Sequence, residues 1–341
     1  MTGHDFGEDK TANSVMDRRT VLLGAVSLLA SPRAVDAQAS GKVYRLGLLS
    51  PAGPPPAATY DSRSDIVEVL REFGYVEGRN LTVERRYADG RVERLGTLAA
   101  ELVQQPVDVI VGFSPVAGRA AQERTKTIPI VILFAGSDPV EMGMVSNLAR
   151  PGGNVTGVVL GSVLADKRLE LLKEVVPGAK RIAMLVAGAS LSGNQVTDAE
   201  QAAARLDIRL VVVDAQDRDY ERAFGAIKKQ GADGLYVAPS PVLSSDRRRI
   251  IELAARHRLP TIYQWVEHVE DGGLMAYGAS LRWATRRVAT YIDRIFKGAK
   301  PADLPVEQAT VLALALNLRT AKALGLTFPP SVLARAEKII E

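Results

Sequence analysis

The chain has 341 residues, 47% hydrophobic and 24% charged, with 43 basic against 39 acidic side chains for a formal net charge of +4. That length exceeds the roughly 100 to 200 residues of a single domain, so two hydrophobic cores are expected, and charges mixed at this balance argue against nucleic acid as a partner. Cysteine is absent and histidine occurs only at His4, His257 and His268, which excludes disulfides, thiolate catalysis and cysteine zinc sites and leaves no expectation of a metal or other cofactor.

The first residues read as an address. Met16-Asp17-Arg18-Arg19-Thr20 supplies a basic start, Val21 to Ala30 a short apolar run and Ala34-Val35-Asp36-Ala37 a small-residue cleavage site, so residues 1–37 are expected to be an extension plus signal peptide and the mature chain to begin near Gln38. The apolar run is shorter than the roughly 20 residues of a spanning helix. The paired arginines resemble a twin-arginine signal, and an ordinary secretory route fits them as well. Met1 to Val15 is either an upstream extension from a misassigned start or a polar tail.

From Val43 onward, short apolar runs alternate with longer amphipathic ones, the pattern of repeated βα units and a mainly parallel sheet. Strands are expected at Tyr44–Leu49, Asn80–Arg86, Val107–Val111, Ile130–Phe134 and Val155–Leu160, with helices around Ile66–Phe73, Val92–Gln105 and Val116–Thr125. The rhythm then restarts. Helices at Asp166–Val175, Asp198–Leu206, Tyr220–Lys229 and Asp246–Arg256 alternate with strands at Arg181–Val186, Arg209–Val213, Gly234–Val237 and Pro260–Tyr263. A strand at Gly273–Tyr277, a long helix Leu281–Phe296, a Pro-rich connection 300–305, a strand Thr310–Leu318 and a terminal helix Pro329–Glu341 complete the reading. The fold class is α/β, two doubly wound lobes.

Ligands of open α/β sheets bind beyond the carboxyl ends of strands, and those ends name the candidates: Ser50, Phe113, Ser114, Ser137 and Asp138 from the first lobe, and Ser190, Ser240, Tyr263, Trp265 and Tyr277 from the second. Ser114 and Ser137 either hold an anion together with backbone N–H groups or cap helices. Asp138, before Pro139, either accepts from a ligand or closes a turn. The aromatic rings either stack on a ligand or fill a core. Arg247-Arg248-Arg249 spreads around a helix and reads as a solvated face with no site. No Gly-x-Gly-x-x-Gly, Gly-x-x-x-x-Gly-Lys-Ser/Thr or Gly-x-Ser-x-Gly motif occurs, so no catalytic residue is assigned and an enzyme is not expected.

Beyond these patterns, Arg150-Pro151-Gly152-Gly153-Asn154-Val155-Thr156-Gly157 resembles the ABC transporter substrate-binding protein family that includes tryptophan- and tyrosine-type components, with the type I periplasmic-binding fold. So do Phe73-Gly74-Tyr75-Val76-Glu77-Gly78, Ser137-Asp138-Pro139-Val140, Lys167-Arg168-Leu169-Glu170-Leu171-Leu172, Gly272-Gly273-Leu274-Met275-Ala276-Tyr277-Gly278 and the run Asn317 to Leu326. The resemblance implies two lobes joined by three crossings, residues 42–158 plus 279–305 and residues 159–278 plus 306–341. It also implies a small organic solute such as an amino acid or an aromatic or carboxylate compound in the cleft, a periplasmic monomer, and an ABC permease as partner. Where relatives carry an Asn-Pro loop after the first second-lobe strand this chain has Ala187 to Ser192, which departs from their pattern. A sensor acting on a membrane receptor and a lobe-closing enzyme are the rival readings.

Overall fold

A computed structural model describes residues 42–55, 61–135, 137–161, 164–188, 194–215 and 217–341. The expected signal segment and Ser190 lie outside the described residues. The first sheet contains β1 (Tyr44–Ser50), β2 (Leu81–Tyr87), β3 (Val109–Gly112), β4 (Ile130–Phe134), β5 (Val155–Val159) and β11 (Glu307–Gln308), in the order β11-β5-β4-β3-β1-β2. The second contains β6 (Arg181–Val186), β7 (Arg209–Asp214), β8 (Gly234–Val237), β9 (Thr261–Tyr263), β10 (Met275–Gly278), β12 (Ala313–Asn317) and β13 (Lys338–Ile340), in the order β13-β12-β10-β9-β8-β6-β7. Every pairing is parallel except β10 with β12.

Strand side chains alternate between two faces, and both faces of each sheet are covered. Val131 and Leu133 of β4 enter one core while Ile130, Ile132 and Phe134 enter the opposite one. In β6, Ile182, Met184 and Val186 divide in the same way from Ala183 and Leu185. Such continuously apolar strands are what a sheet with helices on both sides demands.

Among the described residues the α-helices are α1 (Ser62–Glu72), α2 (Leu95–Gln104), α3 (Pro115–Arg124), α4 (Ala165–Val175), α5 (Gln195–Arg205), α6 (Tyr220–Lys229), α7 (Pro241–Ser245), α8 (Arg247–Arg256), α9 (Val266–Glu270), α10 (Leu281–Phe296), α11 (Leu318–Leu324) and α12 (Pro330–Leu333). The chain passes between the sheets three times: between β5 and α4, between β10 and α10, and between β11 and β12. Helix α10 returns to the first sheet, where Ala284, Val288, Tyr291 and Ile292 join its core.

Several parts depart from the sequence reading, among them the short helices α7 and α9, which it does not contain. Glu307 and Gln308 pair with Val158 and Val159, so the first sheet extends past residue 305. The expected terminal helix is one turn at Pro330–Leu333, followed by strand β13 against β12 with Leu316 opposite Ile339. There the Glu337 N–H donates to the Leu314 carbonyl, which draws the β-branched Ile339 and Ile340 into a ladder. Helix α11, unforeseen, starts where the Asn317 side chain accepts from the Thr320 N–H and ends at Gly325 in the left-handed region, φ 72°.

Candidate functional site

The carboxyl ends of the two sheets face one cavity. It opens to solvent, and its volume is ≈ 70 Å³. That exceeds the roughly 10 to 15 Å³ needed for one water. The first lobe contributes the start of α1, the β3–α3 turn and the end of β4, and the second contributes the β8–α7 turn, α8 and Trp265.

Local sequence sets these turns. A side chain on Gly112 would place its Cβ 2.8 Å from the Gly118 Cα, so glycine at both positions lets α3 lie against the end of β3. This brings Ser114 to the cavity, where its hydroxyl accepts from the Ala117 N–H at 3.2 Å and caps α3. Across the cleft, Ser240 caps α7 by accepting from the Val242 and Leu243 N–H groups.

The charged groups are buried. Asp61 caps α1, with Oδ1 accepting from the Arg63 N–H at 2.9 Å and from Arg63 Nε at 2.8 Å, while Oδ2 accepts from Nη2 at 2.5 Å. Arg63 is 3% exposed and Asp61 7%. The same guanidinium donates to the Gly53 carbonyl and to Ser245 Oγ of the second lobe, the latter at 2.5 Å, so it spans the cleft. Arg247 pairs with Asp271 at 2.5 Å and donates to the Ser244 carbonyl at 2.9 Å.

Trp265 is 4% exposed and packs into the first-lobe core although it follows a second-lobe strand. Its indole N–H donates to Ser244 Oγ at 3.2 Å. Turning the Gln264 amide so that its nitrogen donates to the Val237 carbonyl lets its oxygen accept from the same indole at 3.0 Å. Reciprocally, Ala52 of the first lobe lies in a second-lobe core. These contacts draw the lobes together over the cavity.

Of the ten candidates, Phe113, Ser114, Ser240 and Trp265 line the cavity together. Ser50 is fully buried and outside the lining, its hydroxyl accepting from the Ala52 N–H at 3.1 Å. Ser137 is half-buried and outside the lining. Asp138 accepts from the Val140 and Glu141 N–H groups and closes that turn. Tyr263 is inside the second-lobe core, edge-on to His268 at 5.4 Å, and burial pushes its phenol far above the usual range. Tyr277 packs on the other second-lobe core and offers its carbonyl to Arg168 Nε at 2.8 Å.

Asp61, Arg63 and Ser244, absent from the sequence candidates, line the cavity, as does Arg247, which the sequence places on a solvated face. Asp61-Ser62-Arg63-Ser64-Asp65 carries a legible signal, a capping aspartate ahead of a helix, reinforced by the Asp61 N–H donating to Asp65 Oδ2 at 2.6 Å. Arg247 corrects the expectation of a solvated triplet: it is 4% exposed, whereas Arg248 and Arg249 are exposed, because helical spacing turns one of three neighbours inward. Ring faces, aliphatic side chains, guanidinium groups and hydroxyls around one cavity suit recognition of a small polar-apolar molecule.

Known proteins share this architecture. A Tyrosine-binding protein of Clostridioides difficile is 26% identical over 267 residues, 78% of this chain and 76% of that protein. The crystal structure of a conserved domain protein from Vibrio cholerae is 29% identical with a TM-score of 0.76, covering 87% of this chain and 100% of the other. The structure of an ABC domain in complex with L-Trp from Streptococcus pneumoniae is 24% identical with a TM-score of 0.74, covering 87% and 99%, and the fold of this chain is the type I periplasmic-binding fold. Residues 56–340 match the family described as ABC transporter substrate binding protein, and with two such lobes around one cavity the chain belongs to that family.

Proposed function

We propose that the chain is the exported solute-binding component of an ABC import system, which closes two lobes around a small organic solute and presents it to a membrane permease. The observation that carries the reading is the cavity itself, lined from both lobes by Phe113, Ser114, Ser240 and Trp265 together with Arg63 and Arg247. A solute touching both sides favours the closed form because it gains contacts that the open form lacks. The lobes hinge at the three crossings, with Ser50, Ser137, Asp138 and Tyr277 supporting the strand ends behind the lining. A relative named for tyrosine and a similar structure holding L-Trp support an amino-acid or aromatic compound as the solute class.

In this reading the protein binds without turnover and works as a periplasmic monomer, without nucleic acid. Export is supported by the basic start at Arg18-Arg19, the apolar run and the small residues before Gln38. The test is mass spectrometry of solute released by denaturing protein purified from its native compartment, followed by small-angle scattering with that solute. Recovery of an unaltered small molecule that shrinks the radius of gyration is expected. A released compound that is chemically converted on re-addition, or a radius unchanged at saturation, refutes the reading.

A further inference from the structure

We infer that the solute is an aryl or arylalkyl carboxylate lacking an α-ammonium group, an inference that rests on the cleft reading above. Among the described lining residues there are two guanidinium groups, Arg63 and Arg247, and a single carboxylate, Asp61. Both Asp61 oxygens are engaged by Arg63, at 2.8 Å to Nε and 2.5 Å to Nη2. Asp271, the partner of Arg247, does not line the cavity. The internal stretches outside the described residues, 56–60, 136, 162–163, 189–193 and 216, contain no Asp or Glu in the sequence.

A zwitterionic amino acid needs an anion for its ammonium group as well as a cation for its carboxylate. Here the ammonium would have to compete with Arg63 for Asp61 or sit in the cavity without a counter-charge among its lining residues, and an unpaired charge taken out of water is strongly disfavoured. A carboxylate meets the opposite situation. The lining holds two guanidinium groups against one carboxylate, with Asp271, the counter-ion of Arg247, set outside it, and the ten-residue helix α3 points its N-terminus at the cavity through Ser114 and Pro115. Phe113, Leu133, Leu160, Trp265 and Leu281 supply the apolar surface for a ring.

Matched series on the wild-type protein test this by calorimetry. 3-Phenylpropionate is compared with L-phenylalanine and 3-phenylpropionamide, and indole-3-propionate with L-tryptophan and indole-3-propionamide. Each set keeps ring and chain constant and changes only the ammonium or the carboxylate. The acids are expected to bind at least 10-fold more tightly than both counterparts in at least one series. An amino acid that binds as tightly as its acid overturns the inference while leaving the cleft reading intact, and so does an amide that matches its acid. If none of the six binds but a solute of another class shrinks the radius of gyration, the inference falls and the cleft reading stands. If no solute shrinks the radius, both fall. The comparison needs no variant, so misfolding cannot obscure it.

Discussion

Replacing Trp265 with alanine removes the ring that joins the second lobe to the first. A buried tryptophan covers roughly 150 to 250 Å², which at about 25 cal/mol per Å² sets an upper bound of about 4 to 6 kcal/mol. The indole hydrogen bond to Ser244 or Gln264 adds about 1 kcal/mol. Since the ring packs into the first-lobe core from a second-lobe turn, most of this loss falls on lobe closure rather than on either lobe alone. Trp265→Ala is therefore expected to weaken solute binding at least 100-fold, about 2.7 kcal/mol, while the ligand-free melting temperature falls by only a few degrees. Calorimetry with the released solute and differential scanning calorimetry of the free protein read the two effects separately. Unchanged affinity, or a melting temperature that collapses in the free protein, would refute the assignment of the ring to closure.

Other consequences concern the frame of the site. Arg63→Gln strands the buried Asp61 carboxylate and should cost about 3 kcal/mol in denaturant unfolding, with much of it recovered in the double variant Asp61→Asn/Arg63→Gln; additive losses would contradict the pairing. Gly112→Ala drives a methyl onto the Gly118 backbone and should cost about 1 to 3 kcal/mol, whereas an unchanged denaturation midpoint would show that α3 does not need the close approach. His268 is 1% exposed with neither ring nitrogen hydrogen-bonded, and burial beside Arg247 holds its pKa well below the ordinary 6.5. Because the unfolded chain then binds the extra proton, stability is full above pH about 6.5 and is lost below it by up to about 1.4 kcal/mol per pH unit until the folded pKa is reached. His268→Leu should flatten that dependence, and the same difference in unfolding free energy between pH 7 and pH 5.5 in the variant and the wild type would exclude it.

The lobes were legible because strand and helix periods differ and because strands covered on both faces are apolar throughout, as Ile130 to Phe134 show. Strand ends could be located, but side-chain direction past them could not. Tyr263 and Trp265 flank Gln264 at the same turn, yet the first fills its own lobe and the second reaches the other. That choice depends on the opposite lobe, far away in sequence. Asp61 and Arg63 are hidden for a related reason, since a capping aspartate with an arginine in the first helical turn looks like an exposed helix start until a second lobe covers it. At the carboxyl terminus, Lys338 to Ile340 become a strand only through the neighbouring β12, a partner that local periodicity does not reveal.

The most direct measurement uses the fluorescence of Trp265. The chain has two tryptophans, and Trp283 lies on α10 outside the cavity lining, so Trp283→Phe leaves Trp265 as the reporter. Titration of this variant with the released solute should change the Trp265 emission along a curve whose midpoint equals the dissociation constant from calorimetry. Full saturation by calorimetry with no change in emission would contradict a ligand site between the lobes.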